Sequence, residues 1–186
     1  FFMKKYKCLE KNIYKSGKYS ILPLRFQDRY DIMNWRNEQK YHLRQENDLS
    51  KEIQDLYFKN IINNLFKVKF PDQILFSYLE ENKCIGYGGL VHINWEKKDA
   101  EISFIMETLL EKKYFDFHWR NFLFLIEEVA FKDLSFNKIS TYAYDLRPHI
   151  YNIFEETGFY RESELKNQLF HNGEYKSVII HSKKNK

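Results

Sequence analysis

Cysteine is nearly absent from this chain. Cys8 and Cys84 are the only two, too few for a disulfide framework and without the spacing of metal ligands. No uninterrupted apolar run approaches the ~18 residues a membrane-spanning helix needs, so no membrane partner is expected. The six histidines form no HxxxH pair and no His/Cys cluster, which argues against a metal site. No GxxxxGK[ST] loop, GxGxxG turn or Gly-x-Ser-x-Gly elbow occurs, and the nucleoside-triphosphatase and hydrolase readings fall with them. Arginine is scarce as well, at seven of the thirty cations, and it is the residue suited to bidentate phosphate contact. The lysine-rich start carries no apolar h-region, so it is not a secretory signal and the cytoplasm is the expected compartment.

What is present suits one soluble domain. The chain has 186 residues, 44% apolar and 30% charged, enough for a single core. Its net charge of +4 sits at the ends. Six lysines and one glutamate give residues 1–18 a charge of +5, and Lys183, Lys184 and Lys186 add +3, leaving −4 on residues 19–182. A nucleic-acid partner is therefore not expected, because such proteins gather cations on one face of the folded domain. The organisation expected is a basic arm at 1–18, one domain at 19–182 and a basic tail at 183–186. Met3, behind Phe1-Phe2, reads as a native first residue. Aromatics are abundant, with 17 Phe and 14 Tyr. AT-rich codons account for such a total, and the reading of a ring-lined pocket is kept for particular rings.

The hydrophobic pattern alternates helix and strand. Residues 19–25 read as a strand with Pro23 at its end or at a sheet edge. Residues 27–39 read as a helix that Asp28 or its neighbour could cap. A second helix follows Ser50, with Ile53, Leu56, Tyr57, Ile61 and Leu65 as its apolar stripe. Strands at 74–79, 84–93 and 100–106 form an antiparallel meander. A helix over about 117–133, a strand at 138–144 and a helix at 148–157 stopped by Gly158 come next. A hairpin of 159–170 and 174–182 turns at Asn172-Gly173. The order β-α-α-β-β-β-α-β-α-β-β predicts an α/β (α+β) domain: a mixed, mostly antiparallel sheet flanked by helices.

Glu101 alternates with Ala100 and Ile102 inside a strand. Facing a cleft, it would suit a general base; paired with a neighbouring lysine on a solvated face, the more ordinary outcome, it would not. Gly86, Gly88 and Gly89 within one strand mark a close approach of a ligand or of another chain segment. His92, Asn94 and Trp95 lie at that strand's end, where His92 is either a functional group or a structural histidine.

Several strings in this order resemble the GNAT superfamily of acyl-CoA-dependent N-acyltransferases, in the branch with ribosomal-protein N-terminal and amino-sugar acetyltransferases. They are Ile32-Met33-Asn34-Trp35-Arg36-Asn37, Cys84-Ile85-Gly86-Tyr87-Gly88-Gly89, Ala100-Glu101-Ile102-Ser103-Phe104, Leu134-Ser135-Phe136-Asn137-Lys138-Ile139 and Glu155-Glu156-Thr157-Gly158-Phe159. The resemblance implies that strands 100–106 and 138–144 splay apart and admit acetyl-CoA, whose pantetheine arm pairs with backbone at Phe104, Ile105 and Met106. It implies Glu101 as base, and a diphosphate cradle at the turn 114–120, with Phe117, His118, Trp119 and Arg120. That turn holds no glycine here. The family's general-acid tyrosine falls at Phe154, leaving Tyr151 or Tyr144 to serve, and a family asparagine falls at Arg147, an expected cofactor contact. The implied reaction is transfer of an acetyl group to a small amine, with a nucleotide-linked amino sugar favoured over a protein N-terminus. Trp35, Tyr87, His92, Asn94 and Trp95 are the expected acceptor contacts, though the rings suit core packing equally. A catalytically silent binding module is the rival reading, and a homodimer is the assembly to expect.

Overall fold

The computed structural model describes residues 4–186. Eight strands form one sheet in the order β1-β2-β3-β4-β5-β6-β8-β7. They are β1 (Tyr14–Ser16), β2 (Tyr19–Pro23), β3 (Ile74–Glu80), β4 (Lys83–Asn94), β5 (Asp99–Met106), β6 (Lys138–Tyr144), β7 (Tyr160–His171) and β8 (Glu174–Lys184). The helices are α1 (Arg29–Glu38), α2 (Lys51–Tyr57), which runs on through a π-turn into the single turn α3 (Asn63–Leu65), α4 (Thr108–Lys113), α5 (Phe115–Glu127) and α6 (His149–Glu156). Beyond the expected order, the sheet gains β1 and the connection after β5 gains α4. Residues set apart as a basic arm enter the body. Tyr6, Leu9 and Tyr14 are buried, and the Tyr6 hydroxyl donates to the Leu75 carbonyl at 2.7 Å while accepting from the Leu75 amide at 2.9 Å. Lys183, expected in the tail, lies in β8 and pairs with Glu127 at 2.7 Å. The reading of Met3 as a native start lies outside the described residues.

Every neighbouring strand pair is antiparallel except β5 with β6. That parallel pairing runs only from Asp99↔Lys138 to Ile102↔Thr141. Past it, Ser103–Met106 stay on β4 and Tyr142–Tyr144 stay on β8, so the two strands part and the sheet opens into a V. Strand alternation divides the sides. Phe104 points to the α5 face, stacked on Phe122 with centroids 4.0 Å apart, whereas Tyr87 points to the α1 face and meets Arg36.

The glycines of β4 serve this packing rather than a ligand. A Cβ at Gly88 would sit 2.1 Å from the Ser103 carbonyl oxygen and 3.0 Å from the Phe122 ring. The approaching group is therefore the neighbouring strand and the helix above it. Asn172 and Gly173, at φ 50° and 86°, make the left-handed turn that their dipeptide predicts. Ser50 accepts from the Ile53 amide and caps α2 as expected, but Asp28 does not cap α1. Its carboxylate takes both Arg25 Nε and Nη2 and the Ser77 hydroxyl instead. The stripe of α2 is also turned. Gln54, Phe58, Ile62 and Leu65, three or four residues apart, are buried on one face, and Ile53, Leu56 and Ile61 are exposed.

Candidate active site

A cleft of about 510 Å³ occupies the opening of the V. Glu101 lines it from β5, and Tyr87, Val91 and His92 line it from β4. Thr141–Tyr144 form its wall on β6, and Arg147, Ile150 and Phe154 follow from α6 and the loop before it. Across the mouth, Arg36 reaches in from α1, and His42 and Arg44 from the α1–α2 connection.

Glu101 is paired, but with an arginine and inside the cleft. Its Oε1 accepts from Arg44 Nη2, and the Arg44 guanidinium lies over the Tyr142 ring, 4.2 Å from its centroid. One side chain thus spans the V from β5 to β6. Deeper in, Arg147 Nη1 meets Glu111 Oε1 at 2.6 Å, a largely buried pair that joins α4 to the loop before α6. His42 is buried, with Nδ1 unpartnered among the described residues, and burial lowers its pKa to about 3. It is neutral at physiological pH. His92 sits at φ 49° in the bulge between Val91 and Asn94, a backbone kink that turns it toward the cleft.

The remaining expected residues divide sharply. Tyr144 lines the cleft, and burial raises its pKa. Tyr151 does not line it: its hydroxyl donates to Asp145 Oδ1 at 2.9 Å, and its ring stacks on His181. Phe104 and Trp119 line the cleft. Ile105 and Met106 continue the β5 edge that has left β6, and the Met106 carbonyl already accepts from Gln39 Nε2 at 2.8 Å. Phe117 is exposed and lies against Tyr19, His118 is buried on the Tyr78 hydroxyl, and Arg120 is held by Asp116 and Glu156. Helix α5 turns these three away from the cleft, although Phe117 borders a surface depression at the start of that helix.

On the acceptor side Trp35 is core, Trp95 donates to the Pro71 carbonyl at 2.9 Å, and the Asn94 side chain accepts from the Lys97 amide. None of the three lines the cleft. Arg36, Arg44, His42 and Tyr142 were missed as site residues. His42 and Arg44 lie in the α1–α2 connection, which has no periodicity from which to read their direction, whereas Arg36 stands in one of the strings that carried the resemblance.

Room for an acyl-CoA exists at the reactive end. The diphosphate end is less open. Lys112, Lys113, Phe115 and His149 border a separate surface depression of about 440 Å³ at the start of α5. The Phe115 and Trp119 rings, 6.2 Å apart, stand between it and the cleft. Side chains crowd the glycine-free turn as its composition implies. Among the described residues, no group of three or more His, Cys, Asp or Glu could hold a metal ion.

A sheet that splits between one parallel pair, with a carboxylate in the split, is the architecture of an acetyltransferase, and the family model for the acetyltransferase (GNAT) domain matches residues 21–180. The chain belongs to the GNAT family and is an acetyl-CoA-dependent N-acetyltransferase. It is 27% identical over 149 residues to the spermidine N(1)-acetyltransferase of Vibrio cholerae serotype O1, covering 80% of this chain and 81% of that one. Among solved structures, the Vibrio cholerae spermidine N-acetyltransferase in complex with CoA and spermine superposes with a TM-score of 0.77 at 23% identity, over 91% of this chain and 97% of that one. A dodecameric form of the Vibrio cholerae enzyme superposes with a TM-score of 0.73 at 22% identity, over 91% and 95%. No helix among the described residues is long and apolar enough to cross a membrane.

Proposed function

We propose that the primary amine of a small acceptor enters from the α1–α2 side and attacks the acetyl thioester in the V, with Glu101 as general base. The observation that carries this is the place of Glu101: it stands in the cleft next to Ile102, the last residue of β5 paired with β6, where the strands part. The amine must be neutral to attack. Glu101 accepts its proton as the C–N bond forms, the C–S bond breaks, and the leaving thiolate takes a proton from Tyr144, the tyrosine that lines the cleft. Most of the acceleration comes from holding the two reactants together. Lys112 and Lys113 supply positive charge for the diphosphate in place of the missing glycines.

Two acceptor classes are in play. Spermidine follows from the names of the relatives. Arg44 is paired with Glu101 and Arg147 with Glu111, which leaves Arg36 without a carboxylate beside it among the described residues and favours an amine bearing negative charge, such as the nucleotide-linked amino sugar. A homodimeric assembly is part of this proposal. The reaction is tested by release of free thiol from acetyl-CoA with a panel of amines. Glu101→Gln is expected to lower kcat by ~10²–10⁴, the usual share of a positioned base, with acetyl-CoA affinity near that of the wild type. Unchanged turnover across pH removes Glu101 from the mechanism.

A further inference from the structure

Three guanidinium groups line the cleft, and two are neutralised within the chain, Arg147 by Glu111 and Arg44 by Glu101. Arg36 is not. Its Nε donates to Gln45 Oε1 at 2.9 Å and its Nη1 to the Tyr87 hydroxyl at 2.5 Å, both uncharged partners. Among the described residues no carboxylate lies within 4.0 Å of it, although the side chain is only partly exposed. A cation held rigidly in a concave site, with further N–H groups unspent, has a counter-charge still to be supplied. Gln45 also donates to Asn37 Oδ1 at 3.0 Å, so the guanidinium is fixed from α1, the connection and β4 together.

The position of Arg36 sets a length. Tyr87, which anchors it, and Val91 lie four residues apart on β4 and face the same way, and Val91 pairs with Glu101. Four residues of strand span roughly 13 Å. The geometry points to Arg36 as an anion-recognition residue of the acceptor site, selecting a primary amine that carries a phosphate or carboxylate at its far end, several bonds from its nitrogen. This inference rests on the acetyl-transfer reading of the same cleft and names the class of acceptor. A dication of that length would place its second charge against Arg36 and be repelled.

Calorimetry on the full chain tests binding without requiring turnover. The probes are glucosamine 6-phosphate against glucosamine, and 6-aminohexanoate against 1,6-diaminohexane, which has similar length but a cation at the far end. The anionic member of at least one pair is expected to bind about tenfold more tightly, and Arg36→Gln to erase that difference while Arg36→Lys retains part of it. A phosphate preference alone identifies a phosphorylated acceptor, and a carboxylate preference alone an amino acid. Equal binding within both pairs, tighter binding of the diamine, or a preference that survives in a folded Arg36→Gln protein overturns the proposal. If the Arg36-dependent preference is present but no amine is acetylated, the anion site stands and the catalytic reading fails.

Discussion

Gly88 and Glu101 show how differently two residues can be read. A glycine inside a strand announces a close approach, and alternation announces which face a glutamate takes; neither identifies the neighbour. At Gly88 the neighbour is backbone, the Ser103 carbonyl, which cannot yield as a flexible side chain would. Gly88→Ala is therefore expected to cost about 3 kcal/mol or more, the upper end of overpacking. Thermal and urea denaturation will check it, and a loss below ~0.5 kcal/mol contradicts the packing argument. At Glu101 the neighbour is Arg44, from a connection 57 positions away in sequence. The lysine expected as its partner is not there, because β5 faces the α1–α2 connection and not solvent. Trp35, Asn94 and Trp95 lie off the cleft for a related reason: the core took the α1 ring, and a backbone carbonyl and a turn amide took the two side chains at the end of β4.

Among the elements, β6 and α6 compete to supply the general acid. Tyr144 ends β6 inside the V, whereas Tyr151 lies on the face of α6 that packs against β8 and His181. Tyr151 and Phe154 are three residues apart and both rings meet His181, but only Phe154 lines the cleft, while the Tyr151 hydroxyl is drawn to Asp145. Tyr144→Phe is expected to lower kcat about tenfold, less than a full general acid supplies, because a thiolate leaves tolerably well unaided. Tyr151→Phe should leave kcat near the wild-type value and lower Tm through the lost bond to Asp145. Single-turnover kinetics with both variants separates the roles, and the reverse pattern would reassign them. Helix α4 was missed because Thr108–Lys113 is short and has no buried residue to give it an apolar stripe. Ile53, Leu56 and Ile61 are exposed because the buried stripe runs through Gln54, Phe58, Ile62 and Leu65, and the buried Gln54 is bonded to the Arg29 carbonyl, a polar position that an apolar pattern does not register.

Across the whole molecule, buried histidines link stability to acid. Burial lowers the pKa of His42 to about 3 and also lowers those of His118 and His181. Each folded pKa lies below its unfolded value of ~6.5, so their contribution is complete above that pH and is lost as the pH falls through 6.5 toward 3. Urea midpoints should therefore decline from pH 7 to pH 4. His181→Phe should flatten the decline, because both His181 ring nitrogens lack partners among the described residues and protonation there meets no acceptor. An unaltered slope would assign the acid sensitivity elsewhere. At this scale the sequence by itself determined the order of strands and helices, the mixed sheet, the Asn172-Gly173 turn and the strand that carries Glu101. All of these are encoded in local periodicity and turn chemistry, which operate over a few residues. Only the tertiary structure decided that Arg44 crosses to Glu101, that Arg36 stands without a carboxylate, and that Phe117, His118 and Arg120 turn from the cleft. Those are long-range outcomes, fixed when packing of α1 and α5 on opposite faces of the sheet rotates each helix to bury its apolar side.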